Sequence, residues 1–232
     1  MVKRIVPRNV SAYWIVAVIF VTAAQGQSIT GSVNGKTFGF SAGLGVTLLR
    51  ATDVVDYITS SYAPPSRLDD FATAAEFYLA PEILLNESWG FKFEYAYLLK
   101  SSEVSLSQGV PYSYSYGIHM PTALAQYLVL GQGYAFKFGG GIGYHFASYS
   151  DVSSPGGSRE YHSTGIGLKL EAEGNTAFDD HLFAYIGVDA RDNIMGELKD
   201  SKDNRLFIAS RGSNAKMSFF SIGLKLGFTY YF

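Results

Sequence analysis

The chain has no cysteine, so no disulfide can hold an exported fold together and no acylated cysteine can anchor it; stability must come from backbone pairing and packing. Charge is scarce. Only 16% of residues are charged, and 18 Lys+Arg against 20 Asp+Glu leave a formal net charge of -2, with no basic footprint for nucleic acid. After the N-terminal segment there is no run of the ~20 apolar residues that a membrane helix needs, and the mean hydropathy is only +0.08. A helical membrane protein is therefore excluded, although 47% of the residues are hydrophobic. What is abundant is Gly (25), Tyr (17) and Phe (17), residues of strands and tight bends.

At the N-terminus Lys3, Arg4 and Arg8 precede an apolar stretch from Tyr13 to Ala24 and the small-residue site Ala24-Gln25-Gly26. This pattern predicts a cleaved secretory signal over residues 1–26, a short periplasmic lead over 27–36, and one domain over 37–232.

That domain reads in period two. Between Asn214 and Phe232 one face carries Phe220, Ile222, Leu224, Leu226, Phe228, Tyr230 and Phe232, and the other carries Met217, Phe219, Ser221, Gly223, Lys225, Gly227, Thr229 and Tyr231. Seven further stretches alternate similarly, beginning near Thr37, Asp70, Phe91, Tyr112, Tyr134, Tyr161 and Leu182. The connections alternate between short (Asn86–Gly90, Gly131–Gly133, Asp179–Asp180) and longer (Arg50–Asp69, Ser101–Pro111, Ser150–Glu160, Gly196–Ser213). The apolar faces read free of Lys, Arg, Asp and Glu; at a bilayer midplane an Arg or Lys costs roughly 2–4 kcal/mol. The expected fold is all-β: an eight-stranded antiparallel up-and-down transmembrane barrel with an outward lipid face. On the fourth strand Tyr114, Tyr116, Ile118, Met120 and Leu124 read as one apolar side. Tyr57, Tyr62, Tyr112, Tyr114, Tyr116, Tyr149 and Tyr161 read as an outer aromatic belt, with Trp89, Tyr127, Tyr134, Phe183 and Phe232 as the inner one. Pro81 and Pro121 fall inside predicted strands and are expected at bulges or near the periplasmic rim.

The terminal pattern Leu224, Leu226, Phe228, Tyr230, Phe232 and the strand-turn-strand segment Ile118-His119-Met120-Pro121 through Tyr127 to Gly143 resemble the small eight-stranded outer-membrane barrels, the OmpA/OmpX-type and outer membrane protein beta-barrel domain group. The resemblance implies a Gram-negative outer-membrane location and four extracellular loops. It also implies that the alternating terminal residues are read by the barrel-assembly machinery. The peptidoglycan-binding domain of the longer members is expected to be absent.

The lumen face is expected to carry Lys92, Lys100, Lys137, Lys169, Arg191 and Lys225 against Glu76, Glu82, Glu94, Glu171, Glu173 and Asp189. Six cations then balance six carboxylates and plug a barrel only wide enough for side chains. The predicted role is a non-enzymatic structural or surface-interaction protein without cofactor or metal, acting as a monomer. Its expected partners are outer-membrane lipids, including lipopolysaccharide facing Arg50, Arg67, Arg159, Lys199, Lys202, Arg205 and Arg211. Two alternatives stay open. One is a narrow ion or small-solute channel. The other is a lipid A-modifying enzyme using His145 with Ser148 or Ser150 and Glu160 or Glu173. His119 reads as a further lumen histidine. Asp53, Asp56, Asp69 and Asp70 lack the spacing of a calcium loop. Gly139–Gly143 lies in an alternating strand with no helix after it, so it reads as room for bulky neighbours rather than a phosphate cradle.

Overall fold

The computed structural model describes residues 36–62, 64, 68–105, 111–153 and 157–232. The predicted signal segment and all but the last residue of the lead lie outside them, as does Arg67. The elements are β1 (Phe38–Arg50), α1 (Thr52–Tyr62), β2 (Phe71–Leu84), β3 (Trp89–Ser105), β4 (Pro111–Gly131), β5 (Tyr134–Ser153), β6 (Gly157–Ala177), β7 (Leu182–Met195), β8 (Phe207–Ile208), β9 (Ser213–Asn214) and β10 (Phe219–Tyr231). Eight strands close in the order β1-β10-β7-β6-β5-β4-β3-β2, every neighbouring pair antiparallel. Closure leaves no unpaired edge, the one sheet arrangement that satisfies its backbone without water.

Period-two alternation fixes the two surfaces. Leu44, Val46 and Leu48 on β1, Phe77 and Leu79 on β2, Phe91 and Phe93 on β3, Leu168 and Leu170 on β6, and Ile222, Leu224, Leu226 and Phe228 on β10 are exposed outward. A water-soluble protein does not leave so continuous an apolar surface. On this exterior lie the inner-rim aromatics Trp89, Tyr127, Tyr134 and Phe232, while Phe183 is turned inward and buried against Tyr231.

Strand β4 departs from the expectation. Tyr116, Ile118, Met120 and Leu124 face the interior, and the outward positions are His119, Pro121, Ala123, Ala125, Tyr127 and Val129. Over Ile118–Val129 both faces are mostly apolar, with Thr122 and Gln126 among the inward residues and His119 among the outward ones, so polarity alone does not mark which side meets lipid. Pairing with β3 decides it, because His119 sits opposite outward Tyr97 and Met120 opposite inward Ala96. His119 accordingly stacks on Tyr97 (4.6 Å between ring centres) and lies 2.6 Å through Nδ1 from the Tyr95 hydroxyl.

Neither proline makes a bulge. Paired positions are interrupted between β2 and β3 at Ala80–Pro81 and between β4 and β5 at Met120–Pro121, and the register resumes unchanged on each side. The missing proline N–H is absorbed as a two-residue gap in one ladder while the opposite ladder stays paired. Pro81 is three residues from the inner end of β2, whereas Pro121 is near mid-strand.

The outer connections are more structured than their composition suggests. β3 to β6 extend past the predicted strand ends, making β4 and β6 21 residues long against 13 for β1 and β10. In the first outer connection α1 buries Val54, Tyr57 and Ile58, spaced at i, i+3 and i+4. The last folds as the β8–β9 pair, with isolated bridges His162–Lys199, Glu197–Lys216 and Lys199–Arg205. Arg211 joins the two, bonding Asp53 of α1 at 2.7 Å and pairing with Asp56, while Asp53 also accepts the Lys216 N–H at 3.0 Å. Asp70 instead pairs with Arg50 (3.9 Å), and no group of His, Asp or Glu converges as a metal site among the described residues.

Candidate functional site

The interior is filled in three layers. Next to the short turns, Ala177, Phe183 and Tyr231 pack with Leu84 and Leu130 as an apolar floor. Above it lie the charges. Each comes from an inward position of an alternating strand: Glu76 and Glu82 on β2, Lys92 and Glu94 on β3, Lys137 on β5, Lys169, Glu171 and Glu173 on β6, Asp189 and Arg191 on β7, and Lys225 on β10. All are buried.

Glu94 is the hub, with Lys169 at 2.7 Å, Lys225 at 2.8 Å, Arg191 at 3.1 Å and Lys92 at 3.9 Å. Glu171 bridges Lys92 and Lys169, both at 2.6 Å, and takes a hydrogen bond from Gln126 at 2.9 Å. Glu173 pairs with Lys92. Asp189 lies 3.1 Å from both Arg191 and Lys225. Glu76 receives Arg191 and Lys225 and the Thr47 hydroxyl at 2.8 Å. Lys137 and Glu82 stand apart from this web as a pair of their own (2.6 Å), to which the Tyr231 hydroxyl adds a 2.5 Å hydrogen bond.

Lys100 is the exception to the sequence reading. It is half-buried above the network, has no ion-pair partner among the described residues, and leaves five buried cations facing six carboxylates. Desolvating so many ions is offset only by this density of pairing, because each lost partner leaves a charge uncompensated where the dielectric is low.

The third layer is apolar and aromatic: Leu98, Tyr116, Ile118, Met120, Met195, Leu198, Met217 and Phe219 pack beneath Val54, Tyr57 and Ile58 of α1. The tyrosines predicted as an outer belt belong largely here. Tyr112, Tyr116, Tyr149 and Tyr161 are buried because the strands carrying them continue above the lipid-facing zone and turn them under the helix, and Tyr57 is buried on the underside of the helix itself. At their centre Asp151, fully buried, accepts Arg159 Nε (3.0 Å) and Nη2 (2.9 Å) and the hydroxyls of Tyr112 (3.1 Å), Tyr57 (3.2 Å) and Tyr62 (3.4 Å). Burial first, then the contacts with Tyr62 and the Asp151 charge, hold the Tyr57 hydroxyl protonated well above the ordinary phenol range. Neither α1 nor Asp151 was singled out as a site from the sequence, although the Val54/Tyr57/Ile58 spacing carried a helical signal.

The arrangement considered for lipid A chemistry is not assembled. His145 Nδ1 lies 2.5 Å from Asn193 Oδ1 and its Nε2 lies 3.2 Å from the Thr122 hydroxyl, both inside the lumen. Ser148 bonds the Gly117 carbonyl at 3.5 Å, Glu160 lies beside His162 at 3.8 Å, and Glu173 is tied to Lys92. The glycine run has a packing role: a Cβ on Gly143 would meet His145, and one on Gly139 would meet Glu171. Asn86, in a sequon, spends its side chain in the turn, accepting the N–H groups of Ser88 and Trp89 at 2.9 Å.

This closed barrel, apolar outside and filled within, has the fold of the small eight-stranded outer-membrane β-barrels. Solved structures share the fold. Neisserial surface protein A (NspA) superposes with a TM-score of 0.51 at 15% identity, covering 84% of this chain and 97% of its own. Ail, the attachment invasion locus protein of Yersinia pestis, gives 0.52 at 14% identity, covering 85% and 99%. A major outer membrane protein from Thermus thermophilus gives 0.50 at 13%, covering 84% and 99%. No protein-family profile matches the sequence, and no curated protein does so.

Proposed function

We propose that the chain is a non-conducting, non-enzymatic barrel of the outer membrane that works as a monomer, its filled lumen serving as a rigid mount for an extracellular cap that makes surface contacts. The single observation that carries this reading is the stacking of three closed layers in one lumen, with α1 over the outer mouth and Phe183 and Tyr231 under the inner one. A conducting path would have to separate paired ions and displace both apolar layers. The cap supports the contact role: it is a helix and a β-pair locked together by Asp53, Asp56 and Arg211 rather than loose loops. Arg50 ends the outward face of β1, half-exposed beside Phe71, where lipopolysaccharide phosphates would meet it. The alternating Leu224–Phe232 residues serve assembly.

The test is planar-bilayer recording of the refolded full chain. Silence over a wide voltage range is expected. Discrete, reproducible current steps would overturn the plug and restore the channel.

A further inference from the structure

Between α1, the outer end of β6 and the strand pair β8–β9 lies a cleft of about 410 Å³, within the roughly 300–1,000 Å³ of small-molecule sites. Its walls include Tyr57, Ser61, Tyr62, Arg159, Arg205 and Phe207.

The aromatic walls are held in place. Tyr62 packs on Tyr112 with ring centres 4.1 Å apart and meets Tyr57 edge-on at 6.1 Å. Phe207, 54% exposed, sits on a two-residue strand paired to β9 instead of joining the apolar layer as its neighbours Leu206 and Ile208 do. Held on a paired strand, the Phe207 ring stands open at the cleft wall and is available for stacking.

The polar groups are equally placed. Arg159 is locked by Asp151 and the two tyrosine hydroxyls through Nε and Nη2, and among the described residues its Nη1 has no partner. Arg205 is paired with Glu197 at 3.1 Å, and Ser61 is exposed. Both guanidinium groups are therefore charge-matched already: the cleft offers N–H and O–H groups without an uncompensated positive charge. An anionic ligand would meet Asp151 and Glu197 behind the arginines. A ligand with apolar C–H faces and a rim of hydroxyl acceptors meets neither obstacle, since C–H groups stack on the electron-rich faces of aromatic rings while hydroxyls take the fixed N–H donors.

We propose that this cleft binds a neutral saccharide of a few pyranose units, which names a ligand class for the surface contact inferred above and rests on that reading. Tyr62 and Phe207 supply the stacking faces, and Arg159 Nη1 and Ser61 the hydrogen bonds.

The test uses the full chain refolded in an amine-oxide detergent, which carries no sugar, applied to an array of neutral and anionic glycans and followed by calorimetric titration of the retained ones. Retention of neutral glycans is expected, with affinity falling about tenfold in Tyr62→Ala and in Phe207→Ala, the order of one lost aromatic contact. Heat-modifiable gel migration establishes that each variant is folded. Glu197→Gln, which frees Arg205, is expected to add anionic glycans to the retained set. The proposal is overturned if no glycan is retained, if only sulfated or sialylated glycans are, or if neutral binding is untouched in both aromatic variants. A silent barrel that retains no glycan removes the cleft and leaves the scaffold standing. A conducting barrel that binds neutral glycans does the reverse.

Discussion

Arg191 on β7 extends both terminal nitrogens to the two carboxylate oxygens of Glu76 on β2, 2.7 Å each, across the interior from a strand three places away around the barrel. The bidentate fork fixes both side chains, and Lys225 and Thr47 complete the Glu76 carboxylate.

Removing one partner is therefore expected to cost more than removing both. Arg191→Met leaves Glu76, Glu94 and Asp189 short of a cation, and a loss of about 3–5 kcal/mol in urea unfolding from lipid vesicles is expected. Adding Glu76→Gln should recover part of that loss, because it deletes one stranded charge. Equal or greater loss in the double variant would show that the pair does not act as a unit.

A second prediction concerns His145 and Gly167, which lies two residues along β6 from the register partner of His145 and against its ring. A Cβ on Gly167 would overlap the His145 ring and crowd Asn193. The imidazole cannot retreat, being bonded on both nitrogens to Asn193 and Thr122. Gly167→Ala is expected to destabilise by about 1–3 kcal/mol. Combined with His145→Ala it should cost less than the sum of the two single changes, by about 1 kcal/mol. Strict additivity would mean that the overlap is relieved by backbone movement instead.

These relationships differ in how far they could be read beforehand. On β3, Phe91, Phe93, Tyr95, Tyr97 and Leu99 alternate with Lys92 and Glu94, so polarity alone separates lipid face from lumen, and both sides were legible. On β4 the same test failed because Met120 and Leu124 look like lipid-facing residues while filling the lumen; only the pairing with β3 orients them. The outer tyrosines misled for a related reason. Tyr112, Tyr149 and Tyr161 alternate with serines and charges as a rim would, but the strands run on above the lipid-facing zone and α1 covers them. Partner choice was illegible altogether: nothing in the spacing of Lys137 and Glu82 tells that they pair with each other outside the main web. Those contacts depend on barrel shear, which a single strand does not encode.

A pH effect is expected at the turn between β6 and β7. Asp179 Oδ1 accepts the N–H groups of His181 and Leu182, both at 2.7 Å, and these bonds hold its carboxyl below the ordinary aspartate value of 3.8. A lowered folded-state value means that the ionised form favours the folded turn. That contribution is complete above the unfolded value and fades as pH falls through the folded one. NMR titration of the Asp179 side-chain carboxyl in micelles should give a midpoint below 3.8, and a midpoint at or above it would mean that the two turn hydrogen bonds are not kept.

The last residue offers a way to separate folding from assembly. Phe232 is 62% exposed on the lipid face, with its ring 5.4 Å from Phe38 and 5.0 Å from Tyr230, and its N–H bonds the Phe38 carbonyl at 3.0 Å. Substitution with alanine keeps that backbone bond and removes a ring with few buried contacts, so the refolded barrel should lose no more than about 1 kcal/mol in urea unfolding. If the alternating terminal residues are an assembly signal, the same Phe232→Ala change should sharply lower the amount of heat-modifiable barrel reaching the outer membrane of expressing cells. Comparable losses in both measurements would mean that Phe232 acts through stability, and undiminished membrane levels would remove it from the signal.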